Sequence, residues 1–293
     1  MRRKSWVREK RTVCGKNYME VDIMPVTERE HLDRRRRKEK PSSDAQKNLN
    51  DRRAKRYFIQ LVNTNFHEGD LRVDLTYNDE HLPASPEEAE HRFELWRRKV
   101  LRYAAREGWP RPKWTCVTEY GQNAKGKAVR IHHHVLISGY LDRDALEKLW
   151  CEGRGKAAKP LGIVRTERLQ PQGGTLTALA AYLLKSAARK RRWRSSLNLE
   201  QPQTPPPNDT KYTRAKLARL VQGYIYDGEW WAKQYTGWDL IESSAEYNEL
   251  TGWSVTAKLR RRVPEPPPPW PKRKVVKHGN PAGRSRTRSQ GAG

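Results

Sequence analysis

The chain has 293 residues, with 60 Lys and Arg against 34 Asp and Glu and a formal net charge of +26. A balance this basic draws polyanions from long range, nucleic acid foremost, because each neutralised phosphate releases condensed counterions; the plainer readings are a solubilising surface or an acidic protein partner. No apolar run approaches the roughly 18 residues of a membrane-spanning helix, and Cys14, Cys116 and Cys151, outside any Cys-x-x-Cys pair, disfavour a disulfide framework and a structural zinc site.

Residues 1–43 read as a basic N-terminal arm with one short strand at Asn17–Met24 and the charged block Arg34 to Lys40. No apolar stretch follows Met1-Arg2-Arg3-Lys4, so no secretory signal is expected, and with the unpaired cysteines this points to a reducing, cytoplasmic setting. A first helix is predicted after the cap residues Ser42-Ser43-Asp44, running toward Phe66 on Leu49, Tyr57, Leu61 and Val62. Its outer side carries Arg52, Arg53, Lys55 and Arg56, as phosphate contacts or as solvated charges.

Leu71, Val73, Leu75 and Tyr77 alternate with polar residues and predict a half-buried strand. Ser85-Pro86-Glu87-Glu88 is a capping box with proline at the first helical position, and Ala89, Phe93, Trp96, Val100 and Tyr103 follow at spacings of three and four until Gly108. A second strand is predicted over Lys113–Tyr120. The polar link Gly121–Ala128 returns the chain as an antiparallel hairpin into Ile131-His132-His133-His134-Val135-Leu136-Ile137. A short helix capped by Asp142, a strand within Leu161–Arg168 and a helix over Thr175–Arg191 come next. Pro202–Asn208 break the chain, Tyr224–Arg262 is weakly β-like and rich in Trp and Tyr, and the Pro- and Lys/Arg-rich sequence from Val263 reads as a disordered tail. The expected organisation is therefore an arm (1–43), a central domain (44–200), a partly β extension (201–262) and a tail (263–293).

Side chains on a strand alternate faces, so His132 and His134 point one way while Ile131, His133, Val135 and Ile137 point the other. Two imidazoles side by side can hold a divalent ion, and the hairpin brings Glu119 opposite the region Arg130–His132. Two His and one carboxylate leave coordination positions open, as metal-assisted catalysis requires. The plainer reading of Glu119 is a surface carboxylate paired with a nearby base, and a register slip of one residue would turn it to the other face. Asp74 is an alternative or additional ligand, or a surface Asp near a turn. On the helix after Thr175, Tyr182, Lys185 and Arg189 fall together, away from the apolar stripe of Leu176, Leu179, Ala180 and Leu183. A phenol is a poor nucleophile at neutral pH, and a neighbouring ammonium and a bound metal would favour its phenolate.

The order of these parts resembles the three motifs of the HUH superfamily of rolling-circle replication initiators: Val73-Asp74-Leu75-Thr76-Tyr77, then His132-His133-His134, then Tyr182-Leu183-Leu184-Lys185. Asn65-Phe66 with Gly69-Asp70, Glu119-Tyr120-Gly121, Leu149-Trp150 with Gly153, and Arg194-Ser195-Ser196-Leu197-Asn198-Leu199 extend the likeness to the replication-associated proteins of phages, prophages and related mobile elements. It covers about Asn48 to Leu199. The resemblance implies an α+β fold with a central antiparallel sheet and helices packed on one face, a ferredoxin- or RRM-like palm. It further implies a single-stranded DNA endonuclease and strand transferase acting at a replication origin. His132, His134 and Glu119 would hold Mg2+ or Mn2+, Tyr182 would attack to leave a 5′-phosphotyrosyl link, and Lys185 would orient or neutralise. Bond energy kept in that link removes the need for a nucleotide cofactor, in keeping with the lack of a Gly-x-x-x-x-Gly-Lys-Ser/Thr loop. Host replication proteins are further expected partners.

Three positions depart from the family pattern. His133 puts a polar group on the core side, Asp74 stands where a neutral residue is usual, and Ser186 occupies the place of a second tyrosine. The tyrosine after the histidines disfavours a conjugative relaxase; a transposase or a metal-free nucleic-acid-binding protein with a degenerate site are the competing readings. Trp96, on the apolar stripe, is expected in the core, whereas Trp193, Trp230 and Trp231 are candidate stacking platforms for bases.

Overall fold

A computed structural model describes residues 5–27, 44–122, 126, 128–153, 155–185 and 192–275, and among these the chain builds three antiparallel sheets and six α-helices; the smallest sheet is the pair β6 (Cys151–Glu152) and β7 (Lys159–Pro160), and the short helix α3 (Arg143–Lys148) precedes it. The central sheet has five strands in the order β8-β3-β5-β4-β9: β3 (Leu71–Leu75), β4 (Trp114–Gln122), β5 (Ala128–Ile137), β8 (Val164–Arg168) and β9 (Arg194–Ser195). Every pairing in it is antiparallel. Alternation sorts its side chains: Val73, Leu75, Cys116, Val135 and Ile137 enter one core, Val117 and Leu136 another.

The first core is closed by α2 (Pro86–Arg106), whose Ala89, Phe93, Trp96, Val100 and Ala104 are buried. Its start is built as expected, with one change. The Ser85 hydroxyl accepts from the N–H of Glu88 at 3.2 Å, but the returning Glu88 carboxylate accepts from Ala84, one residue before the cap. The other core is closed by α1 (Asp44–Asn65) and α4 (Thr177–Leu183), through Phe58, Val62, Ala180 and Leu183. Helices thus cover both faces of the sheet, where one covered face was expected; both faces of β4 and β5 are apolar at their Trp114 and Ile137 ends, and each needs a lid.

The expected N-terminal arm is instead a hairpin of two long strands, β1 (Ser5–Cys14) and β2 (Tyr18–Thr27). It pairs with β10 (Trp238–Asn248) and β11 (Gly252–Arg261) in a second sheet ordered β1-β2-β11-β10. Strands from opposite ends of the sequence, 5–27 and 238–261, therefore form one lobe, its core holding Val21, Ile23, Trp231, Ala257 and Leu259. Charge misled the reading of the arm: Glu9, Glu20 and Asp22 are buried but paired. Glu20 takes bonds from Tyr18, Gln60 and Arg56, and Arg56 also bonds Asp22 at 2.9 Å. Arg56 is accordingly a junction between α1 and the second sheet, not an outward cation, as buried carboxylates demand.

The first part of the expected disordered tail is also fixed to the body. Glu265 exchanges two bonds with Asn17, Trp270 lies against Gly69 and under the Arg168 guanidinium, and the Lys274 N–H donates to Gly108 at 2.7 Å. Gly108, at φ +75°, also ends α2, and a Cβ there would collide with the Lys274 carbonyl. The block Arg34–Lys40 and residues from 276 onward lie outside the described residues.

Candidate metal centre

In the β4–β5 ladder Glu119 stands opposite His132, Thr118 opposite His133 and Val117 opposite His134. This register places Glu119, His132 and His134 on the side of α1 and α4, and His133 on the side of α2. Just beyond, a bulge sets Arg130 and Ile131 of β5 against the single Tyr120 of β4. The bulged stretch supplies an acceptor: His132 Nδ1 donates to the Arg130 carbonyl at 2.8 Å.

The second histidine is held by a carboxylate. His134 Nδ1 donates to Asp74 Oδ1 at 2.6 Å, and Arg72 forks onto the same carboxylate at 3.1 and 2.7 Å. Burial pushes the Asp74 carboxyl up, but the bonds from His134 and Arg72 outweigh it and hold the group below its ordinary range. With both Nδ1 atoms donating, each neutral ring presents the Nε2 lone pair. These two nitrogens lie 2.9 Å apart, and Glu119 Oε2 lies 3.4 Å from His132 Nε2 and 3.5 Å from His134 Nε2.

Three such atoms lie this close where a proton or a metal ion is shared among them. Their separations define a circle of radius about 1.9 Å, less than the roughly 2.1 Å of a bond from a divalent ion to nitrogen or oxygen. One ion can therefore touch all three from one side of their plane, and the group could hold a metal ion. Asp74 lies outside that group and fixes the His134 ring from behind, as histidine ligands commonly require.

Tyr182 lies on α4, over the same face. It is 55% exposed, its ring is 6.3 Å from that of His134, and the Arg72 guanidinium sits 5.8 Å from the tyrosine ring centre. A groove of about 820 Å³ leads along β8 to this tyrosine, lined by Arg72, Arg143, Arg168, Gln170 and Gln172 among others. Lys185 does not continue the helical face of Tyr182. The helix stops at Leu183, and the Lys185 N–H closes a tight last turn on the Tyr182 carbonyl at 3.0 Å. The Lys185 ammonium is exposed, and Arg189 and Ser186 lie outside the described residues.

His133 is wholly buried and doubly bonded, 2.8 Å from the Tyr77 hydroxyl at Nε2 and 2.9 Å from the Thr118 hydroxyl at Nδ1. Burial, and after it the neighbouring His132 and His134, push its imidazole down to about 3, so it is neutral and structural. The core-facing polar group thus finds one partner on β4 and the other two residues past the end of β3. Arg72 and its fork onto Asp74 went unread in the sequence, although the two-residue spacing from Asp74 to Arg72 places both on the histidine face. Of the candidate platforms, Trp193 packs on Phe58 at 5.0 Å, Trp231 is in the core of the second lobe, and Trp230 stacks on Tyr224 at 6.3 Å.

Comparisons of the chain with protein-family models, with curated proteins and with solved structures find no match. Among the described residues no helix is long and apolar enough to cross a membrane.

Proposed function

We propose that this chain is a metal-dependent single-stranded DNA endonuclease and strand transferase of the HUH type, which starts rolling-circle replication by nicking an origin. The observation that carries the reading is one constellation: the Nε2–Nε2–Oε2 triangle of His132, His134 and Glu119, with the exposed Tyr182 above the same face. A divalent ion such as Mg2+ or Mn2+ held there supplies Lewis-acid polarisation of a phosphodiester. Asp74 and Arg72 keep the His134 ring in place, and the cationic groove along β8 offers a path for the phosphates of one strand.

In the proposed step the Tyr182 oxygen bonds to phosphorus as the bond to the 3′ oxygen breaks. The phenol proton leaves to solvent and the 3′ oxygen takes one up, giving a 5′-phosphotyrosyl link and a free 3′-OH. Attack by a 3′-OH reverses the step without a nucleotide cofactor. Lys185, on the turn after α4, is assigned to the incoming phosphates rather than to the tyrosine.

The test is covalent capture. Incubated with single-stranded oligonucleotides from its source replicon and Mn2+, the protein should give a DNA adduct that survives denaturation. The Tyr182→Phe variant should give none while still binding DNA. An adduct that persists in that variant overturns the nucleophile, and no adduct with the unaltered chain overturns the enzyme.

A further inference from the structure

Helix α2 seals the sheet face opposite the metal centre, and its outer side is a second cationic surface. Two adjoining hollows of about 360 and 640 Å³ lie between α2 and residues 148–161, and both are bordered by Lys99, Arg102, Cys151 and Gly153. Their floors are apolar: Leu95, Trp96 and Leu161 in one, Tyr103, Leu149 and Ala158 in the other. Arg92, Arg98 and Arg106 complete the rim with Lys148, and the first three are tethered by Glu88, Glu94 and Glu107.

The remaining cations are uncompensated. Among the described residues, Lys99, Arg102 and Lys148 pair with no carboxylate, and Lys99 instead donates to the Cys151 carbonyl at 2.6 Å, at the seam of the hollows. Glu152, 3.6 Å from the His81 ring, is the one carboxylate among the residues lining them. Arg98, Arg102 and Arg106 recur every four residues, about 6 Å apart along the helix axis, and so form a rail beside the apolar floor.

We propose that this surface is a second binding site for single-stranded DNA, separate from the metal centre, with bases laid on the apolar floor and phosphates on the cationic rim. The chemistry selects that partner. A duplex keeps its base faces stacked inside and would use the rim alone, and a free phosphate would leave the floor uncovered; a single strand uses both. Because α2 and the sheet stand between this surface and Tyr182, a strand bound here is anchored, not cut. From the reading above the proposal takes only the class of nucleic acid, and its test needs no nicking.

The experiment uses the full chain carrying Tyr182→Phe, with and without Arg102→Glu and Lys148→Glu, two exposed side chains whose loss disturbs no described contact. Binding of a fluorescent thymidine oligonucleotide of about 30 nucleotides, long enough to pass several binding faces, is measured across a salt series. The double substitution should weaken binding about tenfold and reduce the slope of log affinity against log salt by about 1.4, the share of two phosphates on a single strand. Photo-crosslinking with 4-thiothymidine should place adducts in peptides from residues 95–106 or 149–161. Unchanged affinity and slope overturn the proposal, as does a duplex of equal length that loses as much affinity as the single strand. An unaltered melting temperature establishes that the variant is folded, and Arg102→Gln with Lys148→Gln, expected to show half the effect or more, replaces it otherwise.

Discussion

The two faces of strand β5 treat one residue type in opposite ways. On the α2 face His133 is sealed from water, neutral, and bonded at both nitrogens to hydroxyls. On the α4 face His132 and His134 each give one nitrogen to the scaffold and turn the other toward Glu119. Three consecutive histidines are thus one structural residue between two candidate ligands. The difference comes from their partners: hydroxyls can satisfy either tautomer, whereas a carbonyl or a carboxylate can only accept, and so fixes which nitrogen is left with a lone pair.

Substitutions sharpen this contrast. His132→Ala or His134→Ala should remove Mn2+ binding measured by titration calorimetry, with a loss beyond the roughly 10–100-fold typical of outer-shell changes, and His132→Ala, at the less buried of the two, should leave the melting temperature nearly unchanged. His133→Ala should do the reverse. It leaves a cavity and strips Tyr77 and Thr118 of a partner, costing about 2–4 kcal/mol in urea denaturation, while Mn2+ binding survives in the folded fraction. Equal behaviour of all three variants would break the division of faces.

Asp74→Ala should weaken Mn2+ binding by about 10–100-fold with all three ligands intact, a smaller effect than loss of a ligand. A loss as large as that of His134→Ala would make Asp74 a ligand itself. The smallest expected effect lies on the α2 side. Hydrogen bonds from Arg97 outweigh burial and, with Arg98 and Arg194 nearby, lower the Glu94 carboxyl from 4.5 to about 2. A depressed carboxyl contributes stability that is fully present above the unfolded value and lost as pH falls through the folded one. Stability should therefore decline between about pH 4.5 and 2, and Glu94→Gln should flatten that decline in urea melts at pH 6 and pH 3, with Mn2+ binding at pH 7 unaffected.

Local patterns made much of the centre legible. Alternation alone put His132 and His134 together, the polar link implied the hairpin, and the capping box with its three-and-four spacing marked α2. Other parts depended on partners remote in the chain. Glu20 and Asp22 look like marks of a solvated arm until Arg56 of α1 is brought to them. The prolines after Val263 look unstructured until Asn17, Gly69 and Gly108 receive them. Helix α4 ends at Leu183 and does not run on through Lys185 as expected, which moves Lys185 off the face of Tyr182.

By itself the sequence determined which side chains share a strand face, because a period of two is a property of the backbone and needs no tertiary information. Only the tertiary structure decided what those side chains do. Register and bulge brought Glu119 level with His132, β3 set Asp74 behind His134, and α4 carried Tyr182 above them. These are contacts between segments far apart in the chain, chosen by the packing of two cores around one sheet.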